Sequence, residues 1–214
     1  MKKSRKEFII ATGFLAAFVL WTLAVLTVDV RPVGPNGSAV GFAQLNGFVH
    51  TLTGVHWRLY TVTDWLGLVP IAVCFGFGVL GLVQWIRRKK ITKVDRNILI
   101  LGGYYMVVMA VYILFEYVVI NRRPVLIDGF LEASYPSSTT VLVLCVIPSA
   151  MLQLRERIKN KAAKSVVLSV FAAFAVFMVI GRLVSGVHWV SDIIGGILVS
   201  SGLVMMYKAV CEMK

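Results

Sequence analysis

The chain has 214 residues, of which 58% are hydrophobic and only 15% charged, and its formal net charge is +12 at pH 7. That is too apolar for an ordinary soluble domain, and the length fits one domain. So large a positive charge can point to nucleic acid, but here the basic residues sit in short clusters between apolar runs. That is the pattern of membrane topology signals, and it argues against a nucleic-acid partner.

The chain opens on Lys2-Lys3-Ser4-Arg5-Lys6, followed by an apolar run over 8–28. The run is longer than a signal-peptide core and has no clean small-residue cleavage site after it, so it reads as a first transmembrane helix. Residues 29–65 form the first loop. Pro32-Val33-Gly34-Pro35-Asn36-Gly37 is a turn cluster. After it, Phe42, Leu45, Phe48, Val49 and Leu52 recur at helical spacing, which predicts an external amphipathic helix lying in the outer leaflet. His50 and His56 lie here and read as interfacial polar residues.

The second span is predicted over 66–86, stopped by Arg87-Arg88-Lys89-Lys90. The third, 97–120, carries Glu116 near its far end. A short loop over 121–136 holds Asn121-Arg122-Arg123-Pro124 and Tyr135-Pro136. The fourth span, 137–154, contains Pro148 as an expected kink. Basic residues from Arg155 to Lys164 mark the next loop, and the fifth and sixth spans cover 165–184 and 191–210. The predicted fold class is therefore all-α, a six-helix transmembrane bundle forming a single domain.

Of the 22 lysines and arginines, this topology leaves only Arg31, Arg58, Arg122, Arg123 and Arg182 on one side. By the positive-inside bias that side is extracytoplasmic, and both termini are cytoplasmic. Cys74, Cys145 and Cys211 lie far apart, without metal or disulfide spacing, and read as small buried hydrophobes.

The topology brings Arg123, the 136–140 segment, Arg182, His188 and Asp192 to one membrane face. His188 and Asp192 are four apart and share a helix face. The aspartate there can hold one ring nitrogen and leave the other free to attack. Arg182 offers a planar fork of donors to phosphate. Pro136-Ser137-Ser138-Thr139-Thr140 begins a helix, whose free N–H groups and hydroxyls suit either simple capping or an anion.

These segments resemble the signature of the type 2 phosphatidic acid phosphatase superfamily, membrane lipid phosphatases related to vanadium haloperoxidases and bacterial acid phosphatases. Arg182, His188 and Asp192 match its third signature, Arg123-Pro124 the arginine-proline of the first, and Pro136-Ser137 the start of the second. The resemblance implies that His188 attacks phosphorus and forms a phosphohistidine while Asp192 orients it. It further implies that Arg123, Arg182, Ser137 and the segment at Ser138 and Thr139 hold the phosphoryl oxygens, with no metal or other cofactor. The implied partner is a lipid phosphate in the cell membrane; oligomeric state is open.

Two positions depart from the pattern. Glu116 stands where the family has a lysine, two turns before Arg123 if the helix continues; it would pair with Arg123 or Arg122, or Arg122 would compensate as an extra cation. Thr139 stands where the family has the histidine that protonates the leaving alkoxide. Losing a positioned acid costs about 10²–10⁴-fold. A phosphate leaving from a diphosphate, with a second ionisation near ~6, needs that proton far less than an alkoxide does. The expectation is a phosphatase that favours lipid diphosphates such as a polyprenyl diphosphate, with His50 or His56 as alternative acids. The other reading is an impaired pseudophosphatase that binds or moves lipid phosphates.

Overall fold

In a hydrocarbon medium every backbone N–H and C=O must find a partner within the chain, and long helices satisfy that requirement locally. The computed structural model describes residues 2–213 and contains eight α-helices among them: α1 (Lys2–Thr27), α2 (Ala43–Thr53), α3 (Trp57–Leu66), α4 (Leu68–Arg88), α5 (Arg96–Tyr117), α6 (Ser138–Arg157), α7 (Lys161–Val184) and α8 (Val190–Glu212). Six helical stretches are long and apolar enough to cross a membrane, as expected. Most reach further than the apolar runs did, because basic residues at their ends continue the helix. α6 runs on through Arg157, and α7 starts at Lys161, where the Asn160 side chain caps it by accepting from the Ala163 N–H.

Two boundaries differ in ways that matter. The first loop holds two helices rather than one. α3 was not foreseen because Arg58, Thr61, Thr63 and Asp64 interrupt its apolar pattern; with α4 it makes a nearly continuous helical stretch, Trp57–Arg88. α2 is the predicted amphipathic helix, and its faces are sorted by what lies beneath. Leu45, Phe48 and Leu52 point away from the protein, while the buried Asn46 points inward and bonds Gly41 O at 2.7 Å and Ser191 Oγ at 2.9 Å. α5 ends at Tyr117, three residues short of the predicted span. Pro148 lies inside α6, which continues past it.

α6 and α8 are the most buried of the spans. α1 lies along α8, fastened by Ser4 Oγ donating to Ala209 O at 3.0 Å and by a Lys208–Glu7 ion pair of 2.8 Å. α6 meets α8 through Gln153 Nε2 donating to Tyr207 OH at 2.6 Å. Their shared core includes Val141, Cys145, Val199, Leu203 and Tyr207. All three cysteines are free, and Cys145 is fully buried as expected. α7 covers the other side of α6 around Val143, Ile147 and Met178.

The connection from α5 to α6 is a small hairpin. Asp128 and Gly129 both take positive φ, the backbone of a tight two-residue turn. Isolated bridges join Ile127 to Phe130 and Arg122 to Ala133. That register sets Asn121 against Ser134, and Arg123 against Glu132, through backbone hydrogen bonds of 2.9 and 3.1 Å.

Candidate active site

His188 sits in the turn between α7 and α8 and is 3% exposed. The turn needs a glycine at 186. Its φ is +70°, and a Cβ there would lie 1.8 Å from Gly54 O. The corner between α2 and α3 therefore rests directly on this turn, and His56 N donates to Ser185 O at 3.0 Å. The two Gly-Val-His-Trp stretches, at 54–57 and 186–189, thus meet at their glycines.

Two guanidinium groups converge on the outer nitrogen of the ring. Arg182 Nη2 lies 3.1 Å and Arg123 Nη1 3.4 Å from His188 Nε2. The other nitrogen, Nδ1, does not reach Asp192 directly. The separation is 3.8 Å, beyond a hydrogen bond, which corrects the expected direct contact. Ser134 stands between them, its Oγ 3.0 Å from Nδ1 and 2.5 Å from Asp192 Oδ2. Because the carboxylate takes the serine's only proton, Ser134 accepts from Nδ1–H. That direction leaves a lone pair on Nε2.

Asp192 is held from several sides. It accepts from Trp189 N at 2.9 Å and from Asn121 Nδ2 at 3.3 Å. Trp189 Nε1 in turn donates to Arg122 O at 2.8 Å, tying the turn to the hairpin. Burial, then the charges of Arg123 and Arg182, hold the His188 pKa well below the ordinary imidazole range. The ring is therefore neutral near pH 7, the form a nucleophile needs.

Both arginines are buried, Arg182 to 1% and Arg123 to 8% exposure. Arg182 Nε and Nη1 and Arg123 Nε have no hydrogen-bond acceptor. Each group has a more exposed carboxylate beside it: Glu132 at 3.0 Å from Arg123 Nε and Asp64 at 3.7 Å from Arg182 Nη1. Tyr60 of α3 lies under the Arg182 guanidinium, 5.0 Å from ring centre to Cζ. Buried N–H groups without acceptors, converging on a neutral imidazole, suit an oxyanion carrying several oxygens.

A cavity of about 430 Å³ opens over His188, lined by Arg122, Arg123, Glu116, Glu132, Ser134 and Ser138 among others. An apolar cavity of about 500 Å³ shares Tyr112, Ser138 and Val141 with it and continues past Leu68, Ile71 and Met109. The structure thus gathers Arg123, Ser138, Arg182, His188 and Asp192, as the sequence led one to expect. Ser137 is fully buried at the N-cap position of α6 without a side-chain capping bond; its N–H donates to Asp192 O at 3.1 Å and its Oγ accepts from Thr140, so it serves the scaffold. Thr139 lines the apolar cavity rather than the one over His188.

Neither alternative acid lines the His188 cavity. His50 Nε2 lies 3.1 Å from Gly186 O and packs its ring on Trp189, and His56 Nε2 lies 2.8 Å from Thr53 O. Glu116 does line it, yet it pairs with neither Arg123 nor Arg122. The expected two-turn alignment fails because α5 stops at Tyr117; Arg123 takes Glu132 instead, and Arg122 Nη1 donates to Leu131 O at 2.9 Å. Sequence reading missed Ser134 and Glu132. The signal for both was Asp128-Gly129, a hairpin dipeptide that fixes which residues face each other.

A six-span helical bundle with two arginines focused on one buried imidazole at a bundle end defines a class of membrane protein whose site is suited to an oxyanion. The family model of the PAP2 superfamily matches residues 71–212, and the chain belongs to that superfamily. Among solved structures it is similar to a transmembrane PAP2-type phosphatidylglycerolphosphate phosphatase from Bacillus subtilis, with a TM-score of 0.55, 18% identity and 94% of each chain covered. At that identity the likeness shows the fold. Comparison with curated proteins finds no match.

Proposed function

We propose that this membrane protein is a lipid phosphate phosphatase working at the extracytoplasmic face through a phosphohistidine. The observation that carries the reading is the convergence of Arg123 and Arg182 on His188 Nε2, with Nδ1 held by Ser134 and Asp192. A phosphoryl group entering the cavity meets N–H donors that lack acceptors, and its phosphorus comes before the Nε2 lone pair. Attack forms the N–P bond and expels the leaving oxygen with its electron pair. As the ring becomes cationic, Nδ1–H strengthens its bond to Ser134, and Asp192 balances the charge. Water then attacks phosphorus, breaks the N–P bond and releases inorganic phosphate.

The apolar cavity that adjoins the site supports a substrate with a hydrocarbon tail. Thr139 lines the adjoining apolar cavity rather than the one over His188, and neither His50 nor His56 lines the latter, which favours a leaving group that needs no proton. A lipid diphosphate, such as a polyprenyl diphosphate, meets that condition better than phosphatidate. Basic residues clustered at the other bundle end support cytoplasmic termini.

The test is phosphate release from phosphatidate, phosphatidylglycerol phosphate and prenyl mono- and diphosphates, with His188→Ala beside native protein. Diphosphates should be fastest, and the variant should lose at least about 10³-fold. Acid-labile label on His188 is the matching covalent readout. Faster release from phosphatidate would remove the diphosphate preference. The second reading, a pseudophosphatase that only binds or moves lipid phosphates, draws on the carboxylates beside both arginines. It predicts lipid binding with neither turnover nor label.

A further inference from the structure

Resting on the phosphatase reading, we infer that α3 tunes phosphate capture through Arg182. Tyr60 is a positioning residue that keeps the guanidinium aimed at the phosphate, and Asp64 is the counter-ion that the phosphate replaces.

The starting point is how a buried cation is kept with its donors open. Arg182 is 1% exposed, and its Nε and Nη1 have no hydrogen-bond acceptor. A charge so far from water needs compensation. A carboxylate at hydrogen-bond distance would supply it by taking up N–H groups. An aromatic ring supplies it through its quadrupole and leaves those N–H groups without acceptors. Cζ of Arg182 lies over the Tyr60 ring, 5.0 Å from its centre. The Tyr60 hydroxyl makes no hydrogen bond among the described residues, so the contact belongs to the ring.

The packing of α3 on α7 places both residues. Thr63 is fully buried against Gly181, where a Cβ would lie 2.7 Å from Thr63 Cγ2. Arg182 is the next residue, so this close approach sets the arginine beside α3. Trp57 packs edge to face on Tyr60, with ring centres 6.0 Å apart. Asp64 is four residues after Tyr60 and shares its helix face. Its Oδ1 lies 3.7 Å from Arg182 Nη1, an ion pair beyond hydrogen-bond distance. The Asp64 side chain is 58% exposed, so it can return to water at little cost.

The two residues act in opposite senses. Asp64 competes with an arriving phosphate for Nη1. Tyr60 compensates the charge from the ring side and holds the fork open. With the ring removed, Asp64 is the carboxylate closest at hand, and the guanidinium turns to it and gives up donors that face the site. A phosphoryl oxygen has the converse effect: it takes the open donors, and Asp64 moves to water. Once hydrolysis leaves inorganic phosphate with no hydrocarbon tail to hold it, the returning carboxylate helps to release it.

The experiment uses the purified full chain in detergent, as native protein, Tyr60→Phe, Tyr60→Leu, Asp64→Asn and the double variant Tyr60→Leu/Asp64→Asn. Inorganic phosphate is the probe, followed by titration calorimetry and as an inhibitor of farnesyl diphosphate turnover. Tyr60→Leu should bind phosphate about 10-fold more weakly, with kcat/KM lowered in step, the scale of a desolvated cation–aromatic contact. Tyr60→Phe keeps the ring and should stay within about 2-fold of native protein. Asp64→Asn should bind phosphate about 2–5-fold more tightly, the scale of one partly exposed ion pair. In the Asp64→Asn background the loss from Tyr60→Leu should shrink to about 3-fold or less, because the competing carboxylate is gone.

General damage to the α3–α7 contact would instead weaken phosphate binding in every variant. Tyr60→Phe as weak as Tyr60→Leu, Asp64→Asn no tighter than native protein, or additive effects in the double variant overturns the inference. Calorimetry needs no turnover. Affinities in the expected order without turnover or His188 label sink the phosphatase reading and leave the roles of Tyr60 and Asp64 standing. Turnover and label with equal affinities in all five proteins do the reverse.

Discussion

The two ends of the bundle use the same chemical groups in opposite ways. At the end away from His188, Asp95 accepts from Gln84 Nε2 at 2.9 Å, Arg88 at 3.0 Å and Arg157 at 3.2 Å. Those arginine side chains are 43% and 30% exposed, and of their donors only Arg157 Nε is buried without an acceptor. At the His188 end the arginines are buried and the carboxylates beside them exposed. The first arrangement joins α4, α5 and α6 and leaves one buried donor unmet, Arg157 Nε, against three at the His188 end. The second keeps cationic donors away from water with acceptors missing, which stabilises nothing by itself and is suited to a ligand. Guanidinium–carboxylate pairs therefore say little about role until burial and unmet donors are compared.

Removing a donor at the His188 end breaks the comparison most sharply. Arg182→Leu should lower phosphate release by about 10²–10³-fold, the usual cost of one preorganised donor at a developing charge. Its melting temperature should hold or rise, because a buried charge without full partners is gone. A drop in melting temperature matching the activity loss would place Arg182 with the structural pairs.

Ser134→Ala should follow. It leaves Nδ1 and Asp192 about one hydroxyl apart, and kcat should fall about 10–100-fold with KM little changed, as for other residues that orient a reacting group. Ring-nitrogen chemical shifts of His188 should show the tautomer mixture that native protein lacks. An unchanged tautomer with full kcat would make the serine a spectator.

The pH dependence sharpens the contrast further. His188 titrates lower in the folded chain than in the unfolded one, where its pKa is ~6.5. The unfolded state then binds more protons on the acid side, so stability from this group is complete above ~6.5 and declines as pH falls through the folded value. Melting curves across that range should show the decline in native protein and a shallower one in His188→Gln. Asp95→Asn should have the smallest effect, about 0–1 kcal/mol for partly exposed pairs, with phosphate release unchanged.

The six spans were legible because each is a predominantly apolar run of membrane length. Arg182, His188 and Asp192 were legible because one short stretch carries all three. What was hidden depends on non-local register. α3 mixes charges and threonines into its turns, so no single face marked it. Ser134 and Glu132 lie in a loop of unremarkable composition, and only the Asp128-Gly129 turn brings them opposite Asn121 and Arg123. The Glu116–Arg123 alignment assumed a helix that stops at Tyr117. The serine bridge also changes the reading of Asp192, which four-residue spacing alone had set in direct contact with the ring.

The meeting of Gly54 with Gly186 has an evolutionary corollary. Two main chains touch there with no room for a methyl group, so the first loop works as a template against which the nucleophile's turn is moulded. Insertions in most surface connections are absorbed harmlessly. Here a length change between Ala43 and Leu66 would be transmitted to the buried imidazole, and substitutions in this connection should be tolerated best at Leu45, Phe48 and Leu52, which face away from the protein.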